Sequence, residues 1–192
     1  TSLAGGASCN VEIAYAPTAT GALADTMSIQ YTDGVGTVTS DRNVQGTGAA
    51  PANLTITETD PYDFGSITQG SSTNHIFTIN NTGSVDATTV GGSGLVAPFT
   101  FTGGSFPGTG GDCTATINAG ASCLIDVTFA PTGAVVSNDT IDINYNDGAA
   151  LQVSHRDVTG TGITPANLTL SESDPYDFGL IANNGSTTHS FT

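Results

Sequence analysis

Tryptophan and lysine are absent from these 192 residues, and methionine occurs once. Arg42 and Arg156 are the only basic side chains, set against 17 acidic ones for a formal net charge of -15. Nucleic acid is excluded as a partner, since its phosphates would meet net repulsion, and the same holds for anionic membrane surfaces. No apolar run approaches the roughly 20 residues needed for a helix to span a bilayer, and no membrane contact by this segment is expected. A nucleophile elbow, an HExxH pair, a P-loop and a dinucleotide fingerprint are all missing, and the chain is read as no enzyme. Few residues are charged at all; Thr, Ser, Asn and Gly carry most of the polarity. The acidity serves either solubility and self-repulsion in salty surroundings or the binding of divalent cations.

What the chain does have is a repeat. Cys9 recurs as Cys123, Ala16-Pro17-Thr18 as Ala130-Pro131-Thr132, and Gly46-Thr47-Gly48 as Gly160-Thr161-Gly162, each 114 positions on. Asp60-Pro61-Tyr62-Asp63-Phe64-Gly65 recurs as Asp174-Pro175-Tyr176-Asp177-Phe178-Gly179 at the same offset. Residues 1–78 fall on 115–192 without a gap and are roughly half identical, a period that marks a whole domain copied in tandem. Gly-Thr-Gly followed within a few residues by Pro51 or Pro165 reads as boundary punctuation. The units are therefore 1–48, the later part of one repeat; 49–162, a complete repeat; and 163–192, the first part of the next. Residues 79–114 have no match in either end piece, so the two ends cannot be joined into one more repeat. The expectation is a section of a longer array with stiff linkers two or three residues long.

Three cysteines leave one over in a secreted chain. The repeat removes the difficulty, because Cys9 matches Cys123 and the residue matching Cys113 would precede Thr1. One pair per repeat is expected, as a disulfide Cys113–Cys123. A loop that short gives about 3 kcal/mol of stabilisation in the chain-entropy view. A metal pair and two reduced thiols are the other readings. No CxxC spacing and no second ligand pair accompany the cysteines, which disfavours zinc. A disulfide implies an oxidising, extracellular or cell-surface location.

Alternation gives the fold class. Cys123, Ile125, Val127 and Phe129 share one face of a strand, as do Ile141, Ile143 and Tyr145, and His75, Phe77 and Ile79. The alternate Thr, Asp and Asn residues are expected to face water. Asn146-Asp147-Gly148 and Thr32-Asp33-Gly34 supply turns, and no stretch has a capped helical period. About seven short strands in 49–162 predict an all-β fold of tandem immunoglobulin-like β-sandwiches.

The order Asp-Phe-Gly (63–65), Phe-Thr-Ile-Asn-Asn-Thr-Gly (77–83), Cys113, Ala-Gly-Ala-Ser-Cys (119–123), Val-Thr-Phe-Ala-Pro-Thr (127–132), Tyr-Asn-Asp-Gly (145–148) and Gly-Thr-Gly (160–162) resembles the bacterial choice-of-anchor D repeat. That repeat is a relative of the Hydin and abnormal-spindle immunoglobulin-like domains. The resemblance implies a seven-stranded sandwich, tandem arrays and large exported bacterial proteins, with no enzymatic activity. The acidic approach to Asp-Phe-Gly departs from it.

That approach carries the first candidate site. Glu58, Asp60 and Asp63, repeated as Glu172, Asp174 and Asp177, offer hard oxygen ligands for calcium beside a domain junction. The alternative is a polar kink between two edge-strand segments, with Asp60 capping a turn before Pro61; no other cofactor is implied. Arg42 and Arg156 are expected to pair with a carboxylate or lie over an aromatic such as Tyr62. His75 and His189 are read as structural. The loop 90–111 carries Val96, Phe99, Phe101 and Phe106 as candidate contacts for assembly or a partner. The leading functional expectation is a structural section of a large bacterial surface or extracellular fibre, whose partners are other copies or neighbouring repeats. The other is an adhesin module that binds a glycan or surface protein through its loops, rigidified or not by calcium.

Overall fold

The computed structural model describes residues 2–192. Eleven strands follow one another: β1 (Gly21–Thr32), β2 (Thr37–Gly48), β3 (Leu54–Ile56), β4 (Tyr62–Thr68), β5 (Thr73–Asn81), β6 (Ala87–Ser93), β7 (Phe99–Phe101), β8 (Thr116–Ile117), β9 (Ser122–Phe129), β10 (Val136–Asn146) and β11 (Leu151–Ile163). Strands β3 to β11 build a sandwich from a five-stranded sheet, β4-β11-β10-β6-β8, and a four-stranded sheet, β3-β5-β9-β7. The count exceeds the expected seven for two reasons. The first strand splits into β3 and β4, one in each sheet, and β8 is a two-residue edge piece.

The alternation in sequence is the alternation in space. Phe77, Ile79, Ile125, Val127 and Phe129 from one sheet meet Ile141, Ile143 and Val158 from the other, all at most 1% exposed. Stripping that apolar area from water is the main driving force for the fold. One outward residue breaks the pattern. Asp126, expected to face water, is buried because the loop 102–111 folds over it. Asn74 Nδ2 donates to its Oδ1 at 2.9 Å and Gly110 N to its Oδ2 at 3.2 Å, so both carboxyl oxygens have the partners that burial requires.

Gly160-Thr161-Gly162, read as boundary punctuation, lies in the last stretch of β11, which ends at Ile163. A Cβ on Gly160 would stand 2.6 Å from the Phe129 ring, and one on Gly162 would stand 1.9 Å from the Gly133 carbonyl oxygen. The motif is glycine so that the strand can pass over a ring and a backbone.

Residues 1–48 contribute the hairpin β1–β2, whose register repeats that of β10–β11: Met27 opposes Arg42 as Ile141 opposes Arg156. The turns repeat as well. Asp33 Oδ1 accepts from the Val35 and Gly36 amides, and Asp147 Oδ1 from those of Ala149 and Ala150. Val11, Ile13 and Tyr15 are more than half exposed, whereas the matching Ile125, Val127 and Phe129 lie on β9, flanked by β5 and β7 in its own sheet and sealed against the opposite one. Residues 164–192 form turns and irregular chain.

The Asp147 turn makes a pH prediction. Hydrogen bonds from the Ala150 and Ala149 amides hold its carboxyl below the ordinary value. A depressed folded pKa contributes stability above the unfolded value, about 3.9, that is lost as pH falls through the folded one. Thermal melts taken between about pH 5 and pH 2 should fall less steeply for Asp147→Asn than for the parent protein.

Candidate functional site

The acidic approach is the crossover between the two sheets. Strand β3 pairs with β5, the chain turns through 57–61, and β4 then lies parallel to β11 in the opposite sheet. Crossing the open mouth of a sandwich exposes backbone groups that something must satisfy, and the carboxylates and Arg156 do this. Arg156 points inward from β11, and its Nη2 donates to the Ile56 carbonyl at 2.6 Å. Its Nη1 sits 3.4 Å from Asp60 Oδ2, while Asp60 Oδ1 accepts from the Asp157 amide at 3.1 Å. This pair clasps the crossover to the last strand.

Glu58 works elsewhere, accepting from the Thr78 amide at 2.9 Å through Oε1. Asp63 Oδ1 accepts from the Gly65 amide at 2.8 Å and braces a glycine at φ 77°. The structure therefore does not bring Glu58, Asp60 and Asp63 together around a common point. Each is engaged by a different donor, which is the arrangement of a polar kink. Among the described residues, the group with ligand atoms mutually within 4.8 Å is Asp112, Cys113 and Cys123, and its two sulfurs are bonded to each other. The later copy repeats the pattern: Glu172 Oε1 accepts from the Thr192 amide at 3.1 Å, and Asp177 Oδ1 from Gly179 at 2.8 Å. Asp174 precedes Pro175 on the exposed side of that turn.

Behind the crossover Tyr62 stacks on His75 with ring centroids 4.1 Å apart, and Tyr176 on His189 at 4.2 Å. Burial, aided by the negative Glu58 and Asp63, holds the Tyr62 phenol above its ordinary pKa. The histidine is thus part of an aromatic stack that continues through Phe77 and Phe64.

The loop aromatics require a correction. Phe99 and Phe101, expected as contacts for assembly or a partner, are 0% and 8% exposed. Phe99 stacks on Phe129 at 4.7 Å, and Phe101 meets Phe106 edge to face at 5.6 Å. They are core because β7 pairs with β9 and turns alternate side chains inward. Phe106 is half-buried against that core, and of the four residues Val96 alone is exposed.

Cys113 and Cys123 are joined as a disulfide with Cα atoms 4.9 Å apart. It ties the loop before β8 to the start of β9. Replacing both cysteines by serine should cost about 3 kcal/mol, read as a shifted denaturation midpoint that reductant reproduces in the parent.

Sequence reasoning missed Asn81, which is buried at the end of β5. Its Oδ1 accepts from the Asn53 and Gly83 amides, and its Nδ2 donates to the Val85 and Ile117 carbonyls. The only signal was the second Asn of Asn80-Asn81-Thr82-Gly83, a position alternation alone would place inward. The Ser-His-Asp grouping formed by Ser93, Asp142 and His155 lacks the geometry of a triad. His155 Nδ1 lies 2.6 Å from Asp142 Oδ1 on the outer sheet face, with Ser93 across from Asp142 on β6. The aspartate thus separates serine from histidine by two strand spacings, roughly 10 Å, where a triad needs the histidine between them.

With this geometry in hand, the model of the HYDIN/CFA65/VesB-like, Ig-like domain family matches residues 54–158, just over half of the chain. Among curated proteins no sequence match is found. Solved structures that match include the ASH/PapD-like domain of human CEP192 (PapD-like domain 7), at 14% identity and TM-score 0.42, covering 62% of this chain and 89% of that one. The VesB protease of Vibrio cholerae matches at 14% identity and TM-score 0.45, over 58% of this chain and 32% of its own. A protein of unknown function from Porphyromonas gingivalis W83 matches at 16% identity and TM-score 0.45, over 77% and 68%. The chain spans about a third of the length of VesB.

Proposed function

We propose that this chain, which belongs to the HYDIN/CFA65/VesB-like Ig-like domain family, is a non-enzymatic spacer section of a tandem array at a cell surface or in an extracellular fibre. The observation that carries the reading is where the chain enters and leaves the central repeat. It enters beside the β10–β11 turn, where the Ala52 amide donates to the Asp147 carbonyl at 2.9 Å. It leaves at Ile163, whose carbonyl accepts from the Gln69 amide at 2.9 Å. These points lie at opposite ends of β11, a strand of 13 residues and so about 40 Å long. Copies joined this way add length in one direction.

The disulfide supports an oxidising compartment. The rival reading, a binding module working through its loops, loses its main residues with the burial of Phe99 and Phe101. Electron microscopy of the native assembly tests the proposal. Contour length should grow by about 40 Å per repeat, and compact clusters whose length is independent of repeat number would overturn it.

A further inference from the structure

We infer that the outgoing end of the central repeat is a seat for the next repeat of the same chain, and that the joint made there is packed and fixed in angle. This rests on the tandem-array reading and adds to it how neighbouring units meet. Two independent observations carry it.

The first is the shortness of the tether. At the junction before the central repeat, Gly48 is the last residue of β2. The Ala50 carbonyl already accepts from the Ser84 amide of the following sandwich at 3.1 Å. Ala49 alone lies between. At the junction after it, Ile163 is held in β11, and Thr164 is the residue that matches Ala50. A free step of one residue spans at most about 3.6 Å, so the following repeat cannot swing clear of the end it leaves.

The second is what that end presents. Val136 opposes Thr161 at the start of the β10–β11 ladder, and the Gly162 amide donates to the Val135 carbonyl. Val135, Val136 and Ile163 thus gather at one rim, 61%, 63% and 42% exposed. The repeat alignment places Gly21, Ala22 and Ala49 at these positions in the preceding copy. Three separate positions are large together in one copy and small together in the other, as expected if they meet a common neighbour. The opposite, incoming end of a complete repeat offers apolar surface to match, with Ala149 and Ala150 exposed and Leu151 78% exposed beside the Ala52 anchor. Apolar surface held against apolar surface by a one-residue tether buries at little further entropic cost. The joint before the central repeat, with its small residues, is the looser of the two.

The test uses two complete repeats in tandem joined through native residues 160–167, since 49–163 closes its own core. NMR relaxation would compare the parent with Val136→Ala/Ile163→Ala, the residues of the preceding copy, and with a second variant carrying two glycines inserted after Ile163. Both substituted side chains are exposed, and unchanged thermal melts would verify folding. The parent should tumble as one body, with a correlation time roughly twice that of a single repeat; domains without an apolar interface move independently by default. Both variants should fall towards the single-repeat value. Independent tumbling of the parent, or variants indistinguishable from it, would overturn the inference. A freely jointed pair would still lengthen an array by its contour, so that failure would leave the spacer reading to be decided by microscopy.

Discussion

Replacing Phe99 and Phe101 together by serine is expected to unfold the central repeat. Phe99 is fully buried, stacked on Phe129 and 5.7 Å from Phe64, the one ring that reaches it from β4. Phe101 closes the loop end of the core, and with Phe106 it covers Gly92, where a Cβ would stand 2.5 Å from the Phe101 ring. Truncating a buried phenylalanine costs about 3–5 kcal/mol, and a hydroxyl without a buried partner adds to that. Two such losses are comparable with the whole stability of a small domain, about 5–15 kcal/mol. Val96→Ser is the control. It is 66% exposed, and surface changes of this kind stay within about 0.5 kcal/mol. Urea titration followed by intrinsic fluorescence and proteolysis would read both. A double variant that unfolds at the parent's midpoint would return the two rings to the surface.

The second large effect is expected at a glycine. Gly162→Ala puts a methyl 1.9 Å from the Gly133 carbonyl oxygen and 2.9 Å from Pro131. Neither neighbour is the tip of a flexible side chain, so either the bend that carries Pro131 and Gly133, between β9 and β10, or β11 itself must move. A shift of β11 would disturb the ladder that carries Arg156 and its hold on the crossover, and a shift of the bend would break the hydrogen bond from the Gly162 amide to the Val135 carbonyl. Overpacking costs about 1–3 kcal/mol when side chains can adjust and more when backbone cannot. A loss of about 3 kcal/mol in a domain this size lowers Tm by about 10 °C or more. Gly91→Ala separates space from mere substitution, because nothing lies within 4 Å of its Cβ direction, and its Tm should stay near that of the parent. The same close approaches recur at Gly48, 2.0 Å from the Ala19 carbonyl oxygen, and at Gly46, 2.6 Å from the Tyr15 ring. Gly48→Ala should therefore spoil its hairpin in the same way. Equal melting of Gly162→Ala and Gly91→Ala would refute the close-approach account.

Comparison of the copies shows how local information behaves. The β1–β2 hairpin keeps the register, the aspartate turn and the glycine contacts of β10–β11. Turn chemistry and strand pairing between neighbours in sequence need nothing distant. Burial behaves differently: Ile29 is 40% exposed while the matching Ile143 is sealed. The difference is the opposite sheet, whose strands come from far along the chain.

The same division runs through the central repeat. By itself the sequence determined the repeat, its period, the sandwich class and the inward set Phe77, Ile79, Ile125, Val127, Phe129, Ile141 and Ile143, because a period of two is written in neighbouring residues. The tertiary structure alone decided three things. Phe99 and Phe101 face the core, since a loop in sequence becomes β7 only by pairing with β9. Asp126 is covered, since residues 102–111 fold back onto an outward position. Glu58, Asp60 and Asp63 part company, since Thr78, Arg156 and Gly65, which claim them, come from three different places in the chain. Periodicity says which way a side chain points from its strand; what stands in front of it depends on contacts between residues tens of positions apart.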